Sequence, residues 1–123
     1  SFTARFILND VCLAKGVPFV HAGVHYLSGQ IMTVLPGRGP CLRCLFPNGL
    51  TDTAGTEKVG IIGATAGVLG SLQVQQIYKY LVGLQVDEGL LTYDGSCGEW
   101  QRILIPPDPQ CSCRSSRLQR AKI

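Results

Sequence analysis

The sequence predicts one α/β domain in which a largely antiparallel sheet packs on a first helix and on a long glycine-rich helix. Three observations lead to this fold class. The 123 residues suffice for one core. Two apolar segments have helical spacing, and four short segments rich in Val, Ile, Phe and Tyr come in two pairs. The predicted order is helix, strand, strand, long loop, helix, strand, strand and basic tail, with the domain over residues 1–113 and the tail over 114–123.

The first half of the chain predicts a helix followed by two strands. The helix starts at Phe2, and Gly16 ends it. Residues 18–28 and 30–36 are rich in Val, Phe, Ile and Tyr, which is typical of strands. A turn at Ser28–Gly29 is predicted to join them.

The second half begins with a loop predicted over residues 36–58, where Gly, Pro, Thr and Asp are frequent. The long helix is predicted over 59–83. Each glycine in a helix costs about 1 kcal/mol relative to alanine, so a stripe of them predicts close packing against another element. The stripe consists of Gly63, Gly67 and Gly70. Residues 89–95 and 99–106 are predicted to form the last two strands, joined by a short turn.

Composition excludes some functions. Charged residues are only 15% of the chain, against a usual quarter, so surfaces covered by a partner are expected. The net charge is +3, and basic residues concentrate in the tail without interleaved aromatics, so no nucleic-acid binding is expected. Gln and Lys interrupt the apolar segment 59–83, so no membrane span is expected. The opening residues lack a signal-peptide pattern, and a cytoplasmic location is expected.

Two cysteine pairs carry the clearest chemical signal. Cys41 and Cys44 form a C-x-x-C pair, and Cys111 and Cys113 form a C-x-C pair. Each pair follows a predicted strand on a tight turn, and four such thiolates are the ligands that structural zinc prefers. A redox dithiol is the alternative, but a redox C-x-x-C usually begins a helix, whereas this segment is predicted to enter a turn. Disulfides are the other alternative, although nothing marks the chain as secreted.

The remaining candidates are structural. Cys12 and Cys97 are predicted to be buried or half-buried thiols without a role. His21 and His25 lie four apart on a strand, about 13 Å from each other at ~3.3 Å per residue, which is too far for simple chelation. The glycine-rich segment lacks both nucleotide-loop motifs. The residues by themselves indicate no self-sufficient active site.

Several segments together resemble the ThiF/MoeB/HesA family, relatives of the ubiquitin-activating enzymes. "SFTARFILND" resembles the family segment Asp-Asn-x-x-x-Arg-x-x-x-Asn, with Arg5 and Asn9 at the family spacing and Ser1 in place of the first Asn. Residues 16–47 are similar to the family's two strands, its turn at Gly29–Gln30 and its first zinc pair. "VGIIGATAGVLGSLQVQQIYKYLVG" resembles its long helix, and "LLTYDGSCGEWQRILIPPDPQC" its last hairpin.

The resemblance implies the C-terminal half of a ThiF/MoeB-like adenylyltransferase domain over residues 1–113. Such enzymes use ATP to adenylate the C-terminal glycine of a ubiquitin-like sulfur-carrier protein of the thiamine or molybdopterin type, commonly as homodimers. The resemblance implies a structural zinc on Cys41, Cys44, Cys111 and Cys113. It also implies that Arg5 and Asn9 contact the cofactor, with Arg5 as a catalytic support.

The sequence departs from the family in three places. The nucleotide loop and the catalytic aspartate are expected upstream of Ser1, so ATP and Mg²⁺ would bind only together with an N-terminal half. The cysteine that many members carry before the long helix corresponds to Thr56, a poor nucleophile without a base. The second zinc pair is C-x-C, where the family has C-x-x-C.

A non-catalytic, zinc-stabilised interaction or dimerisation module is the alternative function, and a thiol redox protein is a third.

Overall fold

A computed structural model describes residues 1–50 and 60–113. Within this range the chain forms two compact units, one of residues 1–19, 34–50 and 105–113, and one of residues 20–33 and 60–104. The elements are α1 (Phe2–Lys15), β1 (Phe19–His25), β2 (Ser28–Val34), α2 (Leu42–Leu45), α3 (Gly63–Leu81), β3 (Leu90–Asp94) and β4 (Glu99–Ile103). The predicted α/β class with its antiparallel sheet is confirmed. The predicted tail, 114–123, and Thr56 lie outside the described residues.

Helix α1 has a clear start and end. The hydroxyl of Ser1 accepts a hydrogen bond from the Ala4 N–H at 3.2 Å, which caps the helix. Gly16 adopts the left-handed conformation with φ 73° and ends it, as predicted. The face that α1 buries carries Phe6, Asn9, Cys12 and Leu13. Ile7 and Val11 on the same helix are exposed.

The four strands form one sheet in the order β1-β2-β3-β4. β3 pairs antiparallel with both β2 and β4, in a register that places Ile31 opposite Leu91 and Leu91 opposite Arg102. The link between β1 and β2 has two residues, which only an antiparallel pair allows. The second half of β2 is buried without alternation, which indicates that both of its faces are covered.

The predicted turn at Ser28–Gly29, and the Gly29–Gln30 turn implied by the resemblance, are wrong. These residues begin β2, where Gly29 pairs with Tyr93 and Gln30 with Thr92. The chain reverses instead at Tyr26–Leu27, where Tyr26 has φ 52°, a conformation that side chains other than glycine rarely adopt. The Tyr26 N–H donates to the Gly60 carbonyl at 3.2 Å, which fixes this turn.

Helix α3 packs on the sheet through one face, which carries Thr65, Leu69 and Gln76. The Gln73 Nε2 donates to the Val20 carbonyl on β1 at 2.8 Å. The helix begins at Gly63, later than predicted, because Ile62 is still extended. No helix in the described residues is long and apolar enough to cross a membrane.

The opposite face of α3 is uncharged and open. At 100° per residue, the three glycines of the predicted stripe share this face with Val74, Ile77, Tyr78 and Leu81. These four side chains are between 47% and 74% exposed. In the part of the chain that the structure describes, an ideal Cβ at any of the three glycines would meet nothing within 4 Å apart from the adjoining backbone of α3 itself. Within the described residues no other element packs closely on the stripe, and close packing against another chain stays a prediction.

Gly29 and Gly67 should respond oppositely to substitution by alanine. A Cβ on Gly29 would meet the Leu69 side chain and lie 2.8 Å from the Gly23 carbonyl oxygen, so Gly29→Ala should destabilise the chain by about 1–3 kcal/mol. Gly67 lies in open space inside α3, so Gly67→Ala should stabilise it by up to about 1 kcal/mol. Urea unfolding of both variants tests this. Equal effects of the same sign would contradict the packing described for Gly29.

A polar network links α3 to the segment before β3 and to β4. The side chains of Gln76 and Lys79 donate to Asp87 Oδ2 at 2.7 and 3.3 Å, and Arg102 lies 2.7 Å from Asp87 Oδ1. The Asp87 N–H donates back to Gln76 Oε1 at 3.1 Å, and Gln76 is fully buried. Burial alone would raise the pKa of Asp87. The hydrogen bond from Gln76 and the charges of Lys79 and Arg102 outweigh burial and hold this pKa below its usual value.

Asp87→Asn should destabilise the chain by about 1 kcal/mol at neutral pH. Because the folded-state pKa is lowered, the contribution of Asp87 is fully present above its ordinary value of 3.8 and is lost as pH falls below it. The difference between wild type and variant should therefore shrink toward acidic pH. Chemical unfolding at several pH values measures it, with Glu99→Gln on exposed β4 as the control. A difference that does not depend on pH would contradict the network.

Candidate metal centre

The four predicted cysteine ligands lie together in the first unit. Their Sγ atoms are all within 4.8 Å of one another. Cys41 lies 3.9 Å from Cys44 and 3.5 Å from Cys111, and Cys44 lies 3.6 Å from Cys113. All four residues are at most 9% exposed. The predicted convergence of the two pairs is therefore present.

The first pair sits on a helical turn. The Cys41 carbonyl accepts the N–H groups of Cys44 and Leu45 at 3.0 and 3.2 Å, which starts α2. Residues three apart on a helical turn lie on the same side, so Cys41 and Cys44 present both sulfurs together. The prediction that this segment enters a turn instead of a helix is wrong, because one four-residue helix precedes the turn that Gly49 closes with φ 68°.

Asp108 builds the turn that presents the second pair. Its side chain accepts the Gln110 N–H at 2.9 Å, and its carbonyl accepts the Cys111 N–H at 3.1 Å. Such an Asx turn reverses the chain within a few residues. Both Cys111 and Cys113 are buried behind it. The single intervening residue therefore does not prevent both thiols from facing the first pair.

These distances fit a metal bound by four thiolates. A tetrahedron with metal–sulfur bonds of about 2.3 Å has sulfur–sulfur edges of about 3.8 Å, and the three distances lie close to this value. A disulfide requires about 2.05 Å, so the four thiols are not bonded in pairs. All six cysteines of the chain are free thiols. The donor set is the one that structural zinc sites use.

The buried thiols differ in acidity. Burial raises the pKa of Cys41 to about 11, and the neighbouring Cys111 adds to this. Burial likewise raises the pKa of Cys113 well above its usual value. Burial also acts on Cys44, but hydrogen bonds with the backbone of Cys41 and Asp108 outweigh it and lower its pKa. Because a metal binds the thiolate, metal binding by these thiols releases protons.

Two adjacent residues of α1 hold the first pair in place. Asn9 is fully buried, and its Oδ1 accepts the Leu42 N–H at 3.0 Å. Asp10 binds Arg43 through two hydrogen bonds of 2.8 and 2.7 Å. The Arg43 hydrogen bond is the main reason that the pKa of Asp10 is lowered. The sequence contained the residues of this link but no signal that Asn9 reaches Leu42.

The other predicted residues are not members of the group of four thiols. Arg5, one helical turn before Asn9, is half-buried with its guanidinium 5.1 Å from the centre of the Phe2 ring. His21 is buried on β1, and His25 at the end of that strand is exposed. Cys12 is buried as predicted. Cys97 is exposed in the turn between β3 and β4, so its prediction as a buried or half-buried thiol is wrong.

The sequence comparison defines the family of this chain. Residues 1–114 match the ThiF family, and the chain belongs to it. It is 35% identical over 118 residues to the SAMP-activating enzyme E1 of Haloferax volcanii, covering 90% of this chain and 42% of that protein. It is also 35% identical over 118 residues to the adenylyltransferase and sulfurtransferase MOCS3 of Sus scrofa, covering 92% of this chain and 26% of that protein. The chain thus spans less than half the length of these relatives.

Solved structures share the fold at low sequence identity. The microcin C7 biosynthetic enzyme MccB in complex with N-formylated MccA aligns with a TM-score of 0.75 at 15% identity, over 91% of this chain and 38% of that chain. E. coli MccB with ATP aligns with a TM-score of 0.72 at 15% identity, over 91% and 36%. This likeness confirms the ThiF/MoeB-like fold implied by the resemblance.

Each of the four cysteines should be required for tight metal binding. Cys44→Ser and Cys113→Ser should each lower the metal content of the purified chain. Metal removal by a chelator should lower the Tm of the wild type by more than roughly 10 °C, because structural zinc contributes many kcal/mol to folding. Elemental analysis and thermal unfolding measure both effects.

Cys97→Ser is the matched control, because Cys97 is an exposed thiol outside the cluster. It should keep the wild-type metal content and Tm. If Cys113→Ser also keeps the wild-type metal content while Cys44→Ser loses it, Cys113 is not a ligand and the four-thiolate centre is wrong.

Proposed function

We propose that this chain supplies the carrier-binding and metal-binding half of an ATP-dependent adenylyltransferase. The enzyme activates the C-terminal glycine of a ubiquitin-like sulfur-carrier protein of the thiamine or molybdopterin type. One observation carries the proposal. This chain is 35% identical, across at least 90% of its length, to a SAMP-activating enzyme and to an adenylyltransferase and sulfurtransferase.

The metal in this proposal is a structural zinc. Cys41, Cys44, Cys111 and Cys113 would hold it as four thiolates, a closed set that leaves no ligand position for substrate. Its role is to fix the two cysteine turns, so it takes no part in adenylation. Because the four thiols must stay reduced, we place the protein in a reducing compartment, the cytoplasm.

The carrier would dock on the outer edge of the sheet. β4 is an edge strand in the described part of the chain, and all five of its residues are exposed. Trp100 stacks on Tyr93 with ring centres 4.3 Å apart and is still 42% exposed, and Leu104 just beyond the strand is 79% exposed. An unpaired edge can bind an extended segment through main-chain hydrogen bonds, and the apolar side chains add contact area.

ATP and Mg²⁺ would bind with the nucleotide-binding half of the enzyme. Arg5 is the residue of this chain proposed to support the charge that develops there; it is half-buried, and its guanidinium lies 5.1 Å from the centre of the Phe2 ring. Contact of Asn9 with the nucleotide stays a prediction. The open apolar face of α3 supports association with a nucleotide-binding half of the enzyme or with a second copy in a homodimer.

Carrier-dependent exchange of labelled pyrophosphate into ATP tests the activity in the natural protein that contains this chain. Exchange should require a ubiquitin-like carrier that keeps its C-terminal glycine and should stop when that glycine is removed. Trp100→Ala combined with Leu104→Ala should raise the KM for the carrier about tenfold or more, because both side chains would contact it. Val17→Ala, an exposed apolar change outside both β4 and the open face of α3, is the matched control and should leave that KM unchanged.

The outcomes separate the candidate functions. If the natural protein binds the carrier but catalyses no pyrophosphate exchange, the enzyme function is wrong and the zinc-stabilised interaction module is the better function. Reversible oxidation of Cys41 and Cys44 without bound metal would instead support the redox protein. An unchanged KM in the Trp100 and Leu104 variant would move the carrier surface away from β4.

A further inference from the structure

We propose that Asn9 is a positioning residue for the metal centre, acting through the backbone of α2. The inference rests on the zinc site of the proposed function and adds a residue that is not a ligand. It starts from the chemistry of Asn9, whose polar side chain is fully buried. A buried amide costs free energy unless its groups find hydrogen-bond partners, so the contacts of Asn9 are constrained.

The side-chain oxygen of Asn9 accepts a hydrogen bond from the turn that carries Cys41 and Cys44. Asn9 Oδ1 accepts the N–H of Leu42, which immediately follows Cys41. The first N–H groups of a helix have no partner inside the helix, and the α2 cap residue Cys41 makes no side-chain capping bond. Asn9 therefore takes the place of the missing cap. It fixes the backbone between the two thiols that must share one metal ion.

The side-chain nitrogen of Asn9 binds Asp10, which itself makes a second contact with the same turn. Its Nδ2 donates to Asp10 Oδ1 at 3.2 Å, and Asp10 in turn binds Arg43 in a fork. Arg43 also lies 5.0 Å from the centre of the Phe6 ring on α1. Leu42 and Arg43, the two residues inside the C-x-x-C pair, are thus both tied to α1. The Asp10–Arg43 pair is about half-exposed and contributes less than the buried contact.

This arrangement gives Asn9 the function that hydrogen-bond partners of ligands have in other metal sites. Such groups hold the ligands in one orientation before the metal arrives, and their loss typically weakens metal binding 10- to 100-fold. Asn9 acts on the ligand backbone and not on a sulfur atom, so its effect should appear as a looser site with unchanged ligands.

The test compares the 123-residue wild type with Asn9→Leu, which keeps the side-chain volume and removes the amide. Asn9→Leu should release zinc to a chromogenic chelator ~10- to 100-fold faster. The Co²⁺-loaded variant should also show a weaker or shifted visible spectrum, since this spectrum reports tetrahedral geometry at the metal. Leu69→Ala is the control: it removes a buried side chain from the second unit and should lower stability without changing the Co²⁺ spectrum or the zinc release rate.

Each result has a defined meaning. A wild-type release rate and spectrum in Asn9→Leu would overturn the inference and leave the zinc site standing. Faster release in both variants with unchanged spectra would overturn it too, because lost stability would then explain the effect. A wild type that binds no metal would overturn both the zinc site and this inference. If Asn9→Leu does not fold, hydrogen exchange of the Leu42 amide in the wild type decides: strong protection is expected, and rapid exchange would overturn the inference.

Discussion

The convergence of two cysteine turns, Cys41 with Cys44 and Cys111 with Cys113, is the constraint on which the first unit depends. Cys41 and Cys111 are separated by 70 positions, yet their sulfurs lie 3.5 Å apart. Neither turn is stable by itself, since one is a four-residue helix and the other is a turn built on one Asp side chain. Burial of four thiols at a common point gives both turns a fixed place, and a bound metal would compensate for the polar sulfur atoms that this burial removes from water.

Helix α1 transmits this constraint to the start of the chain. Asn9 and Asp10 hold the cysteine turn by hydrogen bonds, while the Phe2 and Phe6 rings each pack edge-on against Phe46 at 6.2 and 6.3 Å. Polar contacts thus lie at one end of α2 and aromatic contacts at the other. The backbone N–H groups at the start of a helix need acceptors, and Asn9 supplies one for Leu42.

The sequence predicted the features that local chemistry determines. Gly16 ends α1 because glycine adopts the left-handed conformation at little cost, and the spacing of the four cysteines indicated their common site. The features it missed depend on distant neighbours. The sequence predicts a turn at Gly29, but the missing side chain of Gly29 makes room for Leu69 of α3 within the sheet. Only the family spacing marks Asn9, and its link to Leu42 is a contact between residues 33 positions apart, which periodicity cannot reveal.

The low charge content has a structural counterpart in the described residues. Apolar side chains are exposed on three elements, with Ile7 and Val11 on α1, Val74 and Leu81 on α3, and Trp100 on β4. Charged side chains at such positions would prevent contact with another protein surface. The exposed apolar side chains on these three elements fit the expectation of covered surfaces, and their coverage by a partner stays a prediction.

A metal held by the four cysteines would also constrain the unfolded chain. A metal that joins Cys41 to Cys111 closes a loop of 70 residues, and the chain-entropy relation for a cross-link of this length gives about 4 kcal/mol at 25 °C. Unlike a disulfide, this cross-link opens when the metal leaves, without any electron transfer. In an unfolded chain that kept the metal, the random-coil freedom of the segment that carries α3, β3 and β4 would depend on the concentration of free metal ions, as long as the four thiols stay reduced.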